Sequence, residues 1–306
     1  MSLRTRAPAK LNLTLAVGPR AEDGFHPLRS VFARLALADE LAVDPAPAAG
    51  ADVLTVGGDY ECPVEGNLVL RAFSLLREAA GLPLPPLSAQ LVKRIPVGGG
   101  LAGGSSDGAA ALELAARAWG IGLSPEWAAE LESRLGSDVP FFARGGEVAL
   151  VESRGEVVRP LPGIVGGAGI LLCTSKAGLS TAAVYGRFDQ LGGSVTRARP
   201  VTDELLEALA HGIDGAGLAE LGPLLRAAND LWPAAVQLAP EIVGRRDVLE
   251  RLTGRPWLLT GSGPTLFAIY PSVEQARAAA ASWAAPSGTT LVPTALGSQA
   301  DEGRAR

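Results

Sequence analysis

The sequence predicts a globular chain that mixes α-helices with β-strands and is long enough to form two domains. The chain has 306 residues, and 47% of them are hydrophobic while 19% are charged, which is typical of a soluble globular protein with an ample core. Segments in which apolar and polar residues alternate follow segments with apolar residues at helical spacing. The first pattern indicates strands and the second indicates helices.

The composition also argues against several classes of partner. A formal net charge of −5 disfavours nucleic acid and anionic membranes, whose surfaces attract the opposite sign. No apolar run approaches the roughly 20 residues of a membrane span, and no secretion signal is recognisable at the N-terminus. Cys62 and Cys173 lie far apart, and the two histidines are His26 and His211. We therefore expect a cytoplasmic protein without a histidine-built metal site.

Lysine is rare in this chain. Lys10, Lys93 and Lys176 stand against 24 arginines. An arginine is a planar cation that stays charged, whereas a lysine is a compact point charge with a tunable pKa. Positions that require a lysine should therefore be enriched among these three.

The N-terminal segment predicts a strand followed by a tight turn. Residues 7–17 alternate in polarity, which places Lys10 and Asn12 on the same side of a strand. The alternative for Lys10 is a solvated edge position. Asp23 and Gly24 are typical of a hairpin turn, and we expect the turn to present the next two side chains, Phe25 and His26, on an exposed rim. The alternative is that Phe25 belongs to the core.

The remaining elements of the first half follow from periodicity and capping residues. Residues 160–168 are rich in proline and glycine and predict a domain boundary. Before that boundary the pattern indicates two short strands within 29–43, a strand at 54–56, a helix over 67–80 that starts at Asn67, a strand over 87–97, helices over 109–119 and 124–135, and a hairpin over 145–159.

The second half predicts a mainly helical domain around a strand pair. Residues 257–270 read as strand, glycine turn and strand. The other predicted elements are a strand at 170–173, helices over 180–191, 205–210, 218–231, 242–252 and 273–283, and a polar tail over 298–306.

The most informative stretch is a glycine-rich loop between a strand and a helix. Residues 98–106 contain five glycines and two serines, and we expect Ser105, Ser106 or Asp107 to cap the helix that follows. Glycines let the backbone approach a ligand closely, and the N-terminus of a helix favours negative charge. The loop therefore predicts a phosphate site.

Other interpretations of the loop are weaker. A plain connection rarely needs so many glycines beside serines. Gly98, Gly100 and Gly103 have the spacing of the dinucleotide fingerprint, but no acidic residue ends a second strand about 20 residues later. No Lys-Ser/Thr follows the glycines, so the P-loop pattern also fails.

Two further segments carry candidate site residues. Asp138 lies in a turn that leads into apolar residues, where it serves either as a functional carboxylate or as a turn or cap residue. Gly261, Ser262 and Gly263 form either a hairpin turn or a second turn that faces phosphate.

Together these segments resemble the GHMP small-molecule kinases, nearly end to end. Residues 7–13 with 23–26 are similar to the N-terminal signature of the members that act on a cytidyl diphosphate alcohol. Residues 96–110 resemble the family's phosphate loop, 136–142 its segment with the catalytic aspartate, and 259–268 its third glycine motif. The departures are Ala102, where glycine is usual, and Phe25, where tyrosine is common.

The resemblance implies an α+β fold of two domains. The N-terminal one (1–160) would be a ribosomal protein S5 domain 2-like nucleotide-binding domain, and the C-terminal one (161–306) a GHMP kinase domain. It implies a kinase of the non-mevalonate isoprenoid pathway that uses ATP and Mg²⁺ and phosphorylates a hydroxyl of a cytidyl diphosphate alcohol. We expect a monomer or weak homodimer. The alternatives are a mevalonate- or homoserine-type GHMP kinase, and a non-catalytic GHMP-fold binding protein, which would be expected to lack Lys10 or Asp138.

The resemblance also assigns residues to roles, but identifies no metal ligand. Asp138 would accept the proton of the attacking hydroxyl, while Lys10 would keep Asp138 ionised and stabilise charge on the phosphoryl group. The residues expected to bind ATP are Asn67, Lys93, Pro96, Val97, Gly98, Gly99, Gly100, Leu101, Ala102, Gly103, Gly104, Ser105 and Ser106. Those expected to bind the cytidyl substrate are Asn12, Phe25, His26, Tyr185, Gly261 and Ser262.

Overall fold

Strands from both halves of the chain join into one hydrogen-bonded sheet. The computed structural model describes residues 2–46, 50–193 and 196–297, and within these ranges eleven strands form the sheet. The first half contributes β1 (Leu3–Asn12), β2 (Ala16–Val17), β3 (Leu28–Pro45), β4 (Val53–Gly58), β5 (Leu87–Lys93), β6 (Val148–Ser153) and β7 (Val157–Leu161), with helices α1 (Leu68–Ala80), α2 (Gly103–Trp119), α3 (Pro125–Leu135) and α4 (Val139–Arg144).

The second half completes the sheet with four strands. Its elements are β8 (Ala168–Ser175), α5 (Thr181–Gln190), α6 (Ala198–Ala210), α7 (Gly215–Glu220), α8 (Gly222–Leu225), α9 (Trp232–Leu238), α10 (Glu241–Thr253), β9 (Leu258–Leu259), β10 (Leu266–Tyr270), α11 (Val273–Ser282) and β11 (Thr289–Leu296). β11 lies antiparallel to β8 along its length and touches β3 through one residue pair, Leu296 with Leu35. This pair connects the two halves of the sheet, and the mixed α+β fold class is confirmed.

The strand β3 is the centre of the first half. It pairs antiparallel with β1, β2, β5 and β6, and helices α1 and α2 pack a large apolar core that includes Phe73, Leu76 and Leu114 against the sheet. The prediction of two short strands over 29–43 is wrong, because β3 runs without interruption through its acidic residues. Asp39, which resembles a strand end in the sequence, is fully buried and bonded to neighbouring groups.

Helix α2 begins six residues earlier than predicted. Ala102, with a φ of 54°, occupies the N-cap position, and no side chain caps the helix. The prediction that Ser105, Ser106 or Asp107 serves as the cap is therefore wrong. The uncapped first turn leaves its backbone N–H groups for another acceptor, which is the property that an anion site requires.

The second half differs from its sequence-based description at four places. The predicted helix over 218–231 is replaced by two short helices, α7 and α8, because Gly222 and Pro223 interrupt it, and residues 226–231 are not helical. Helix α9 and strand β11 were not predicted, and α6 starts at Ala198 rather than at 205. The predicted polar tail at 298–306 lies outside the described residues.

Most other element predictions are confirmed. Asn67, Ser124 and Ser180 each accept a backbone N–H at the start of α1, α3 and α5. The hairpin β6–β7, the pair β9–β10, and helices α10 and α11 lie where the pattern placed them. Among the described residues, no helix combines the length and the apolar character that a bilayer crossing demands.

Candidate active site

One cavity of about 1010 Å³ contains most of the predicted site residues. Its walls come from the glycine loop, the end of β1, the turn before β3, helix α5 and the turn between β9 and β10. Both halves of the chain thus contribute side chains. A volume of this size accommodates two small ligands side by side.

The glycine loop forms one wall and packs against the C-terminal glycine turn. A Cβ on Gly100, whose φ is +79°, would lie 2.5 Å from the carbonyl oxygen of Thr260, and a Cβ on Gly261 would lie 3.1 Å from the carbonyl oxygen of Gly100. The two backbones therefore approach at a distance that only glycine permits. Ser262 is fixed in the same turn by a 3.0 Å hydrogen bond between its hydroxyl and that of Thr181. Gly261 and Ser262 both line the cavity.

Not every residue of the loop reaches the cavity. The side chains of Leu101 and Ser106 do not line it. Leu101 packs in the hydrophobic core, and its carbonyl accepts the backbone N–H of Lys10 at 3.0 Å. Ser106 is buried and lines a second, smaller cavity on the other side of α2. The residues of the loop that do line the main cavity are Pro96, Val97, Gly98, Gly99, Gly100, Ala102, Gly103, Gly104 and Ser105.

Lys10 and Asp138 meet in the cavity. Lys10 Nζ lies 3.7 Å from Asp138 Oδ2, and the side chains are 5% and 29% exposed. Asp138 holds the N-cap position of α4, yet its side chain makes no capping hydrogen bond. The carboxylate is thus available to a ligand. Burial lowers the pKa of Lys10, and the charge and hydrogen bond of Asp138 act in the opposite direction.

Asn12 orients the ammonium of Lys10. The Oδ1 of Asn12 accepts from Lys10 Nζ at 2.8 Å, and its Nδ2 donates to Ser30 Oγ at 2.9 Å. Lys10 Nζ also lies 4.3 Å from the ring centroid of Phe32, a favourable cation–π distance. Asn12 was predicted to contact substrate, and it does line the cavity. Its amide is engaged mainly in positioning Lys10.

Two residues expected near ATP have local partners. Asn67 Oδ1 caps α1 by accepting from Val69 N at 3.0 Å. Lys93 Nζ donates to Asp107 Oδ2 at 2.7 Å and to Asp39 Oδ2, and its side chain is 3% exposed. Asn67 and Lys93 both line the cavity, but two of the three N–H donors of Lys93 are already used.

At the other end of the cavity, Phe25 and His26 differ in exposure. Phe25 is 53% exposed, so the alternative of a core phenylalanine is wrong. His26 is 8% exposed, and the prediction that it lies on an exposed rim is wrong. Its ring packs 5.3 Å from the ring of Tyr185 and 5.6 Å from that of Phe188, both on α5. Burial raises the pKa of Tyr185, and the charge of Asp138 adds to the rise.

Both ring nitrogens of His26 have partners that only accept hydrogen bonds. Nδ1 lies 2.9 Å from the carbonyl oxygen of Gly18, and Nε2 lies 3.1 Å from Asp189 Oδ1. Neither nitrogen is free for a ligand, which leaves the backbone of this segment as the group that can meet one.

Several cavity residues were not identified from the sequence, among them Asp189, Arg20 and Arg154. Asp189 holds His26, Arg20 Nη1 lies 3.8 Å from Asp189 Oδ2, and the guanidinium of Arg154 lies 4.9 Å from the ring centroid of Phe25. Arg154 stands in the turn of the β6–β7 hairpin and Asp189 near the end of α5. Neither position carries a local motif, so periodicity and spacing hold no signal for them.

The arrangement provides the groups that phosphoryl transfer requires. A backbone cradle with free N–H groups suits phosphates, a buried ammonium stabilises charge on a moving phosphoryl group, and an adjacent carboxylate accepts a proton. Among the described residues, no group of three or more histidine, cysteine, aspartate or glutamate side chains forms a metal site.

Models of two protein families match the chain. Residues 67–146 match the GHMP kinases N terminal domain, and residues 205–287 match the GHMP kinases C terminal domain. The first match contains the glycine loop and Asp138, while the second covers α6 to α11.

Curated relatives and solved structures agree with these matches. The 4-diphosphocytidyl-2-C-methyl-D-erythritol kinase of Streptomyces coelicolor is 41% identical over 87% of this chain and 86% of its own length. That of Streptomyces avermitilis is 39% identical over 92% of each chain. A crystal structure of 4-(cytidine 5'-diphospho)-2C-methyl-D-erythritol kinase has a TM-score of 0.73 at 32% identity and covers 96% of this chain and 99% of its own. Homoserine kinase of Cytophaga hutchinsonii, with a TM-score of 0.68 at 18% identity over 97% of this chain and 96% of its own, shares the fold.

Proposed function

The chain belongs to the GHMP kinase family, and on that premise we propose that it transfers the γ-phosphoryl group of ATP to the 2-hydroxyl of 4-diphosphocytidyl-2-C-methyl-D-erythritol. An ATP-dependent phosphotransferase with an alcohol acceptor follows from relatives about 40% identical over most of their length. The single observation that carries the proposal is the Lys10–Asp138 pair, which faces the same cavity as the glycine loop and the Phe25–His26 segment.

Asp138 and Lys10 would carry out the chemical step. Asp138 Oδ2 would accept the proton of the substrate 2-hydroxyl while the oxygen of that hydroxyl attacks the γ-phosphorus of ATP. Lys10, held by Asn12, would stabilise the negative charge that develops on the transferred phosphoryl oxygens. Burial strengthens this electrostatic effect, because the ammonium of Lys10 is shielded from water. The bond between the γ-phosphorus and the β,γ-bridging oxygen breaks, and ADP leaves.

The glycine loop would bind the triphosphate of ATP. The observation that supports this role is the uncapped first turn of α2, whose backbone N–H groups have no side-chain acceptor. Gly103, Gly104 and Ser105 are the first three residues of that helix and all line the cavity. Asn67, at the N-cap of α1, would border the adenosine.

The residues also fit a Mg²⁺ ion bound together with ATP. Mg²⁺ commonly takes one or two carboxylates and completes its shell with phosphate oxygens and water. Asp138 could contribute to this role only through Oδ1, because Oδ2 pairs with Lys10 and is the oxygen that would accept the proton. When bound, the ion would neutralise charge on the phosphates.

The Phe25–His26 segment would recognise the cytidine ring. The exposed face of Phe25 can stack on a pyrimidine, a contact worth about 1–3 kcal/mol in nucleic-acid systems. Because both nitrogens of His26 are occupied, its backbone is the group that would pair with the cytosine edge, and Tyr185 would cover the other face. A mevalonate- or homoserine-type kinase has no need of this clamp.

Other parts of the proposal concern the whole chain. We infer a division into an N-terminal domain over 1–160 and a C-terminal domain over 161–306, which the Pro/Gly-rich composition of 160–168 supports. A cytoplasmic location and a monomer or weak homodimer are further predictions. The free thiols of Cys62 and Cys173 support a reducing compartment.

The experiment that tests the proposed function compares acceptors. A coupled assay of ADP release would present the cytidyl alcohol, its uridyl analogue, mevalonate and homoserine side by side. We expect turnover of the cytidyl alcohol and poor turnover of the uridyl analogue, and Phe25→Ala should raise KM for the cytidyl alcohol while leaving KM for ATP nearly unchanged. Equal turnover of the cytidyl and uridyl alcohols would contradict recognition of the base, and turnover of mevalonate or homoserine alone would reject the function.

A further inference from the structure

A buried ion cluster joins the two ends of the glycine loop. Lys93 is the last residue of β5 and Asp107 is the fifth residue of α2, so the loop over 94–102 runs between them. Lys93 Nζ donates to Asp107 Oδ2 at 2.7 Å. This contact fixes the end of the strand against the start of the helix.

Asp39, from the middle of β3, anchors the same cluster. Its Oδ2 accepts from Lys93 Nζ, and its Oδ1 accepts the backbone N–H groups of Arg94 at 2.5 Å and Ile95 at 2.8 Å. Arg94 and Ile95 are the first two residues of the loop. One carboxylate therefore holds the start of the loop, and Lys93 connects that carboxylate to the helix at the loop's end.

The burial of these three groups indicates a purpose beyond stability. The side chains of Lys93, Asp39 and Asp107 are at most 3% exposed. Charges buried this deeply contribute little net stability and are often retained for structural specificity. The two carboxylates are also unequal, because Asp39 has three donors while Asp107 has one, and Asp107 Oδ1 is buried without a donor among the described residues.

We propose that Asp107 is a positioning residue which, through Lys93 and Asp39, holds the two ends of the glycine loop in the shape that binds the phosphates of ATP. The proposal rests on the proposed function, in which this loop binds ATP. It gives Lys93 a different main role from the predicted contact with adenosine, because its ammonium serves the loop rather than the ligand.

The cluster has one positive charge, on Lys93, for two carboxyl groups, and this imbalance affects the pKa of Asp107. One ammonium faces two carboxyls, and the thiol of Cys62 is the other titratable group that interacts with all three. Burial raises the pKa of Asp107 to about 7, while the charge of Lys93 lowers it and that of Asp39 raises it. Burial and the charge of Asp39 therefore favour the neutral carboxyl of Asp107 more than solvent would, which reduces the negative charge near an incoming triphosphate.

If Asp107 acts by positioning the loop, two substitutions that both remove its carboxyl, Asp107→Asn and Asp107→Leu, should have different effects on ATP binding. Asparagine at 107 keeps the side-chain oxygen that accepts from Lys93 Nζ. Leucine has a similar size and no such oxygen. The hydrogen bond between Lys93 and residue 107, which connects the two ends of the loop, should therefore be lost in Asp107→Leu and largely kept in Asp107→Asn.

Calorimetry with ATP and Mg²⁺, and separately with the cytidyl alcohol, tests the proposal on the full chain. We expect Asp107→Leu to weaken ATP binding at least about tenfold relative to Asp107→Asn, the scale of one lost charge-assisted hydrogen bond. Binding of the cytidyl alcohol should change less than about threefold in both variants, and KM for ATP should follow the calorimetric values.

Asp52→Asn is the matched control. Asp52 makes a bidentate pair with Arg77 away from the cavity, with N–O distances of 2.9 and 2.8 Å, so its loss weakens the first half without touching the loop. Equal ATP affinity of the Leu and Asn variants would overturn the proposal, as would an equal loss of ATP affinity in Asp52→Asn. If the wild-type chain binds no ATP at all, the proposed function fails instead.

Discussion

The imidazole of His26 and the carboxylate of Asp189 form a partly buried contact, with Nε2 and Oδ1 3.1 Å apart. His26 precedes β3 in the first half of the chain, and Asp189 lies in α5 in the second half. The contact joins walls of the cavity that come from the two halves of the chain. Because the carbonyl of Gly18 contacts the other ring nitrogen of His26 at 2.9 Å, the ring is held from both sides.

Loss of this contact should affect only the cytidyl substrate. We expect Asp189→Ala to raise KM for the cytidyl alcohol about tenfold or more, because His26 loses the partner that orients its backbone. KM for ATP should stay within about twofold. Asp203→Ala is the control, since Asp203 also pairs with an arginine from the first half, Arg29, at 2.8 Å, outside the cavity. Equal effects of the two variants, or a parallel rise in KM for ATP, would contradict the assignment.

Lys10 and Asp138 should act as one unit in turnover. Lys10→Arg should be nearly as damaging as Lys10→Ala, because a guanidinium cannot occupy the position of the ammonium between Asn12 and Asp138. Asp138→Asn should lower kcat by about 10²–10⁴, the usual scale for a general base. Steady-state kinetics with saturating ATP measure both effects. Near-normal turnover of Lys10→Arg would refute a specific role for lysine.

The pH profile of kcat should reveal the buried ammonium of Lys10. Its pKa lies below the ordinary value of 10.5 because burial disfavours the charged form. The cation is the active form, so kcat should fall on the alkaline side at a pH below that of an ordinary lysine. Asp138 acts to raise the pKa of Lys10, and the residual activity of Asp138→Asn should therefore fall at a still lower pH. A decline that moves to higher pH in this variant would be inconsistent with the pair.

Substitutions at two adjacent glycines, Gly103 and Gly104, should distinguish a loss of ATP binding from a loss of folding stability. A Cβ on Gly104 meets no atom within 4 Å, whereas one on Gly103 would lie 2.9 Å from Ile95 Cγ2. Gly104→Val should weaken ATP binding at least about tenfold while Tm stays within about 2 °C, because its side chain enters the space meant for phosphate. Gly103→Val should weaken ATP binding and also lower Tm.

The control for these substitutions is Gly122→Val, which lies outside the cavity and also meets no atom within 4 Å. It should change neither Tm nor ATP affinity. Unchanged ATP affinity in Gly104→Val would show that phosphate does not bind at the start of α2.

Asp107 should make the stability of the protein depend on pH. Its pKa is about 7 in the folded chain and about 3.8 when exposed, so the folded state holds the proton more tightly. The free energy of unfolding should therefore fall as pH rises from about 4 to about 7 and level off above that range. Urea unfolding at pH 5 and pH 8 measures the effect. Relative to Asp107→Asn, the wild type should lose on the order of 1–4 kcal/mol more over this interval. Identical pH dependence of the two chains would count against a protonated Asp107.

The sequence determined the chemistry-bearing segments because each depends on local physics. Helix α1 could be predicted from the helical spacing of its apolar residues and from Asn67 at its start. The phosphate site follows from glycines between a strand and a helix. The same-side placement of Lys10 and Asn12 follows from the two-residue period of a strand, and the 2.8 Å contact between their side chains confirms it.

Only the tertiary structure decided how these segments meet. β3 continues through Asp39 because three donors satisfy its carboxylate: the ammonium of Lys93, at the end of β5, and the backbone N–H groups of the first two loop residues. Lys93 lies 54 residues away in the sequence, so no local pattern around Asp39 could predict this partner. The start of α2 at Gly103 and the burial of His26 against α5 have the same origin as the path of β3. Each depends on hydrogen bonds and packing between residues far apart in the chain, so periodicity within a short window carries no information about them.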